Sequence, residues 1–340
     1  MDFLAEYGLF LAETVTVTVA IVIVVVIIAA NTSRGRQPDE GHLEVRCLND
    51  QLDHQRDTLE AAVLGKKASR RQYKARARER KKSHGTLRRV YVLNFEGDLQ
   101  ASATDRLRHE VTSVLSVARE EDEVVLRLES AGGVVHGYGL AASQLQRIKE
   151  HGISLTVAVD KVAASGGYLV ACLADKLISS PFAVLGSIGV MAEVPNVHRL
   201  LKKYDVDVEL LTAGEFKRTL TVFGENTKEG REKFIEELED VHKLFKEHVA
   251  RHRPVVDIEA VSTGESWYGP RALDRKLSDE LATSDAYLAK CCEDAEVYEV
   301  RWAIRRSSIE RLRQRFVALL GQHRLGDYVN SDLWRGFWRV

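Results

Sequence analysis

A serine can act as a nucleophile where the backbone lifts it clear of its own core, and Val159-Asp160-Lys161-Val162-Ala163-Ala164-Ser165-Gly166-Gly167-Tyr168 has that form. An apolar run ends in a turn of small residues, a lone serine and two glycines, followed by a helix-like segment. Ala163, Ala164 and the glycine pair permit a corner tight enough for backbone to approach a ligand. Ser165 then falls at a helix N-terminus, where free N–H groups favour developing negative charge. The plainer reading of the same residues is a packing corner.

Two other stretches could complete such chemistry. In Glu123 to Val135 a buried strand runs into Ser130-Ala131-Gly132-Gly133, a second turn able to present backbone N–H groups beside the first. Acyl transfer needs such donors, because its tetrahedral intermediate carries a full charge on the former carbonyl oxygen, and each well-aimed donor is worth roughly 2.7 to 4 kcal/mol. Downstream, Gly214-Glu215-Phe216-Lys217-Arg218 follows the strand-like Val206 to Leu211. A lysine takes a proton from serine only as the free amine. That requires a pKa well below the ordinary value of about 10.4, which burial can lower by about 3 to 5 units. Taken singly, the first turn also reads as an ordinary strand-to-helix turn, and Lys217 as a solvated charge.

Ser165-Gly166-Gly167-Tyr168, Gly186-Ser187-Ile188-Gly189-Val190, and Phe216-Lys217-Arg218 with Phe223-Gly224-Glu225-Asn226 together resemble the bacterial signal peptide peptidase A family of serine proteases. The resemblance covers roughly Val90 to Ala295 and extends to the apolar N-terminus and basic linker of a membrane-anchored branch. It implies a Ser-Lys dyad, with Ser165 as nucleophile and Lys217 as general base, and Ser187 helping to position the lysine. It also implies an oxyanion hole drawn from Gly132, Gly133 and Gly166. No metal or cofactor is implied; polypeptide substrates and a homo-oligomeric ring are. In fold it implies an α/β spiral of β-β-α units, shared with the ClpP and crotonase folds. The chain departs from the family at Lys276-Leu277-Ser278-Asp279, where a Gly-Leu-Val-Asp-like turn is the pattern. Losing that glycine is expected to strain a turn without touching the dyad.

The residues themselves agree with an α/β body. With 340 residues, 45% hydrophobic and 29% charged, the chain can bury one sizeable core with appendages. Strands expected near 90–95, 123–129, 154–160, 176–179 and 206–211 alternate with helical patterns near 103–120, 136–151 and 166–174. A long amphipathic helix follows, with Phe234, Ile235, Leu238, Val241, Leu244, Phe245 and Val249 on one stripe. Four cysteines, at 47, 172, 291 and 292, show no metal spacing and no disulfide framework, and Cys172 reads as a core residue. His198 comes after Ser165 beside Arg199, a poor place for a triad base, while His136 and His151 flank a helix.

The termini carry a different signal. Gly8 to Ala30 is an apolar run that as a helix is about 34 Å long, enough for a hydrocarbon core of about 30 Å. Lipid selects helix in spite of the valine and threonine content, since backbone groups must be satisfied within the segment. With no small-residue cleavage site before a mature domain, the run is expected to be an uncleaved single-pass anchor, and the resemblance implies a bacterial inner membrane. Asp2 and Glu6 before it, with Arg34 and Arg36 after it, favour a cytoplasmic protease domain, whereas family analogy favours a periplasmic one. Lys66 to Lys82 holds ten Lys or Arg and one acid, a solvated linker or a latch onto anionic lipid. Nucleic acid is not expected as a partner, since only Tyr73 offers a stacking face there and net charge is −1.

The expected organisation is an anchor (1–30), a charged linker (31–89), a serine protease domain (90–300) and a basic amphipathic C-terminal helix with an aromatic tail (301–340). The expected activity is hydrolysis of apolar, extended polypeptides such as signal-peptide remnants or misfolded proteins. The alternatives are an inactive membrane scaffold of the same fold and a crotonase-like acyl-CoA enzyme.

Overall fold

The computed structural model describes residues 41–65, 87–214 and 216–304, with positions 8, 10, 11 and 14–18 near the N-terminus. The chain divides into two compact units, one spanning Leu43–Trp302 and one made of Met1–His42 with Ala303–Val340. The architecture that positions the site is that of the first.

Its centre is a sheet in the order β1-β10-β2-β3-β4-β6-β9. The strands are β1 (Gly41–Cys47), β2 (Arg89–Gly97), β3 (Glu123–Ser130), β4 (Ser154–Val159), β6 (Lys176–Ser179), β9 (Glu280–Leu281) and β10 (Glu296–Ile304). From β10 to β9 every neighbouring pair is parallel. Parallel sheets are covered on both faces, so their strands read as nearly continuous apolar runs, as Val90 to Leu93 and Val124 to Leu126 do. Alternation then sorts the side chains. Tyr91, Leu93 and Phe95 join the larger core with Leu107, Leu145 and Ile148, while Val90, Val92 and Val125 meet Leu288, Cys291 and Val297 on the other face.

The sheet forks at the C-terminal end of β3. Along most of its length β3 pairs β4, but its last residue, Ser130, pairs Ala163 of a short strand, β5 (Val162–Ala164). β5 runs parallel to β7 (Val184–Gly186), and β7 is antiparallel to β8 (Ser266–Tyr268). The corner between β4 and β5 is pinned by Asp160, whose carboxylate accepts from the N–H of Ser284 at 2.8 Å and its hydroxyl at 2.5 Å. Nine helices are described between residues 48 and 294. The first four are α1 (Leu48–Leu64), α2 (Thr104–Leu115), α3 (Val135–Glu150) and α4 (Gly166–Ala171). Then follow α5 (His198–Lys203), α6 (Lys228–His252), α7 (Ile258–Val261), α8 (Gly269–Asp274) and α9 (Ser284–Asp294). The long α6 matches the apolar stripe, and the Thr227 side chain caps it by accepting from Gly230 N–H at 3.0 Å.

Several expectations change. Val206 to Leu211 forms no strand and is exposed throughout, with Leu211 at 88%. Its valine–acid alternation is a local preference that needs a ladder partner and a face to bury, and it has neither. Residues 41–64, expected as linker, form β1 and the charged helix α1. Arg301 to Ile304, expected to start a helix, prolong β10, where Val300 is buried and Trp302 N–H donates to Glu110 at 2.8 Å. Lys276 does adopt a left-handed φ of +59°. Lys276 N–H donates to Leu273 and Leu277 N–H to Ala272, so the turn forms with a side chain where glycine is unstrained.

At 14–18 the backbone is helical, and the Thr14 and Thr18 hydroxyls donate to carbonyls four residues back. Among the described residues no helix is long and apolar enough to cross a membrane. The expected anchor over 8–30 lies mostly outside the described residues, as do the basic run at 66–82 and the tail from 305 onward.

Candidate active site

Ser165 stands between β5 and α4 with φ +51° and ψ −121°, a conformation that L-residues avoid. Its N–H donates to Gly186 at 2.8 Å and its carbonyl accepts from Leu169 at 3.0 Å, so main chain on both sides holds the strained turn. Such a turn lifts a side chain out of the packing around it, and Ser165 is half-buried while its neighbours Ala164 and Gly166 are buried.

The turn after β3 abuts it. Gly132 has φ +95°, and a Cβ there would lie 2.7 Å from Ser165 Cβ and 2.8 Å from Gly166 N. Gly166 is equally confined, since its Cβ would lie 2.5 Å from Cγ of Tyr138. Only glycine lets the two backbones approach this closely. Of the three expected oxyanion donors, Gly132 N–H is already engaged, donating to Ser130 Oγ at 3.1 Å. Among the described residues the N–H groups of Gly133 and Gly166 have no acceptor.

Ser187 is brought beside the Ser165 turn by pairing. Ala164 and Gly186 are partners in the β5–β7 ladder, so Ser165 and Ser187 follow side by side at the strand ends. Ser187 shares the φ of +51°, and its N–H donates to Glu265 at 2.7 Å.

Lys217 is different. It lies in an exposed irregular segment, its N–H donating to Gly214 at 3.3 Å, and its side chain makes no hydrogen bond or ion pair among the described residues. Phe216, beside the lysine, is 50% exposed, with Lys233 over its ring. The structure therefore joins Ser165, Ser187 and the two glycine turns, and leaves Lys217 without a bonded connection to them. The Gly224-Glu225-Asn226 motif does local work: Asn226 accepts from Thr221 N–H at 2.8 Å, while Asn196 donates to Thr221 and Gly224.

Of the histidines weighed from sequence, His151 contacts the Arg147 carbonyl at the end of α3, and His198 contacts Phe223 O. Burial pushes the Cys172 thiol up to about 12, in keeping with a core residue. Two residues with no role read from sequence prove close to the site: Ser130, and Tyr138 beneath Gly166. Ser130 carried a positional signal, two residues before the second glycine turn. Tyr138 carried none beyond its place on a helix.

The chain matches the description "Peptidase family S49 N-terminal" over residues 2–145 and "Peptidase family S49" over residues 147–298. It is 48% identical to the "Probable protease SohB" of Haemophilus influenzae, over 91% of this chain and 92% of that protein. The chain belongs to peptidase family S49. A second relative, the "Probable protease SohB" of Buchnera aphidicola subsp. Schlechtendalia chinensis, is 45% identical over 85% of this chain and 99% of its own length. Among solved structures, a mutant of a membrane-bound stomatin-specific protease with a substrate peptide aligns over 68% of this chain and 99% of that one, at a TM-score of 0.42 and 13% identity. The resemblance carried by the serine and glycine motifs is thus borne out at family level.

Proposed function

We propose that this S49 peptidase is a membrane-anchored serine endopeptidase in which Ser165 is the nucleophile and Lys217 the general base. The observation that carries the reading is Ser165 itself, held at φ +51° against two glycine turns with two N–H groups left without acceptors. In the proposed reaction, neutral Lys217 Nζ takes the Ser165 hydroxyl proton as Oγ bonds to a peptide carbonyl carbon. The N–H groups of Gly133 and Gly166 hold the oxyanion. The C–N bond then breaks as Lys217 gives that proton to the leaving amine; Lys217 Nζ next takes a proton from a water that attacks the acyl carbon, and the Oγ–acyl bond breaks as that proton passes to Ser165 Oγ.

Burial is what lowers an ammonium's pKa, and Lys217 is exposed in the single chain. The reading therefore has bound peptide, or a second copy of the chain in a homo-oligomer, cover the 189–223 segment. Ser187 is positioned to orient the lysine once it arrives. Substrates are apolar, extended polypeptides, with residues 8–30 holding the enzyme to the inner membrane. The β4-β5-α4 succession, followed by β6 and β7, which pair β4 and β5 in turn, supports the β-β-α spiral. The exposed amine is also what favours the rival reading, an inactive scaffold.

One experiment separates them. Intact membranes carrying the parent, Ser165→Ala or Lys217→Arg are treated with a fluorophosphonate probe and assayed with an apolar peptide. Parent labelling and turnover that both variants lose support the dyad, since a guanidinium stays protonated at any working pH. An inert parent leaves the scaffold; a Lys217→Arg variant as active as the parent removes Lys217 as base. Protease accessibility in oriented vesicles assigns the side of the membrane.

A further inference from the structure

Behind the two glycine turns lies a buried polar chain that the proposed reaction does not use. Tyr138 is fully buried, in the first turn of α3, and Ser130 is the last residue of β3. Ser130 Oγ and Tyr138 Oη are 2.5 Å apart, Tyr138 Oη lies 2.8 Å from the carbonyl of Asp98, and Gly132 N lies 3.1 Å from Ser130 Oγ. The ends fix the proton order, because a carbonyl only accepts and an N–H only donates. Tyr138 must give its proton to Asp98, so Ser130 must give its proton to Tyr138, and Ser130 Oγ accepts from Gly132. The chain therefore runs one way: Gly132 N–H to Ser130 Oγ–H to Tyr138 Oη–H to the Asp98 carbonyl. Buried chains of this kind polarise along their length, and each link stiffens the next.

The same tyrosine reaches both sides of the site. Its ring underlies Gly166, whose Cβ would lie 2.5 Å from the ring, and it meets Phe95 edge-on at 6.2 Å between centroids. Its hydroxyl, through Ser130, restrains Gly132 and so the next residue, Gly133. The carbonyl after Asp98, that of Leu99, accepts from Val134 N–H at 2.9 Å on the far side of the same turn. One buried group thus sets the separation of the two turns that present the free N–H groups.

We propose that Tyr138 and Ser130 are positioning residues that aim the oxyanion donors of the Ser165 site through this one-way chain; the inference rests on the reading of Ser165 as nucleophile. Neither touches substrate. They act by holding Gly133 and Gly166 where the charge of the intermediate forms, so their loss should weaken the transition state more than the bound substrate.

The test uses the full chain in membranes, with Tyr138→Phe, which keeps the ring, Ser130→Ala, and the double variant. Apolar-peptide kinetics, fluorophosphonate labelling rate and melting temperature are measured for each. Losing one donor outright costs about 100- to 1,000-fold in kcat, so losing its aim is expected to cost about ten-fold. Each single variant should show that fall in kcat and in labelling rate with KM held within about two-fold. The double variant should be no slower than the slower single, because a chain cut at either link is cut. Should Tyr138→Phe fail to fold, Ser130→Ala carries the same prediction. Parent-like kcat in the folded single variants would overturn the proposal, as would multiplied losses in the double or a kcat loss matched by KM. An inert parent, indistinguishable from Ser165→Ala, would instead remove the nucleophile reading and this inference with it.

Discussion

The segment that holds Ser165 and the one that holds Lys217 are built on opposite plans. From 123 to 188 the chain is built on a packed frame: β3, β4, β5 and β7 interlock, Ala163, Tyr168 and Leu185 are fully buried, and the Ser165 turn is held by main-chain bonds on both sides, with Phe182 an exposed exception at 84%. From 189 to 223 the described residues hold one short helix, α5, and leave Met191 at 82% and Leu211 at 88% exposure. A strained turn persists only where its surroundings over-determine it, so the proposed nucleophile needs the rigid half. A lysine that must be covered before it can work is compatible with the open half. The contrast divides the proposed site into a part that folding completes and a part that binding or assembly completes.

The largest effect that could break this comparison is catalytic. Ser165→Ala and Lys217→Arg are each expected to lower kcat for an apolar peptide by at least about 10,000-fold, although only the first lies in the rigid half. Comparable losses from both would show one machine built from two unlike regions, and a small loss at Lys217 would confine the chemistry to the rigid one.

Next come the close approaches. Gly132→Ala puts a Cβ 2.7 Å from that of Ser165 at φ +95°, and should cost roughly 2 to 4 kcal/mol of stability by chemical denaturation. A glycine substitution just past the open half, at Gly224, meets nothing nearer than the Thr221 side chain at 3.1 Å and should cost less.

A third prediction concerns acid. His248 of α6 contacts the Leu169 carbonyl, on the helix α4 that Ser165 precedes, at 3.1 Å, and burial, helped by His252 and Arg251, pushes its pKa down to about 4. The unfolded chain binds that proton near pH 6.5 and the folded one does not, so stability is intact above pH 6.5 and falls as the pH drops toward 4. A decline on the order of 2 kcal/mol is expected over that window, and His248→Gln should flatten it in a pH series of denaturant midpoints.

Smaller again is the turn where the chain departs from its family. Lys276→Gly relieves a left-handed residue and should raise stability by about 1 kcal/mol, while leaving kcat for the apolar peptide unchanged. Smallest is Lys217→Met, expected to move stability by less than about 0.5 kcal/mol because the side chain is exposed and unbonded. A large destabilisation there would mean that Lys217 already sits in a packed, completed site, and the comparison would lose its second term.

The strands β2, β3, β4 and β6 were legible because a parallel strand buried on both faces leaves an apolar run that little else explains. The serine and its glycines were legible because only small residues fit where backbones touch. Val206 to Leu211 misled because alternation reports a preference and not a partner. Tyr138 went unread because a buried tyrosine on a helix resembles any core residue until its hydroxyl is seen to end on Asp98 O.

By itself the sequence determined the family and the sheet's central strands and singled out the candidate residues, since residue type and spacing record which groups a backbone can bring to one turn. Only the tertiary structure decided that Gly132 spends its N–H on Ser130, that Ser187 stands beside Ser165, and that Lys217 stands open. Those outcomes depend on which strands pair and which segments find nothing to pack against, and pairing is a property of distances between residues far apart in the chain.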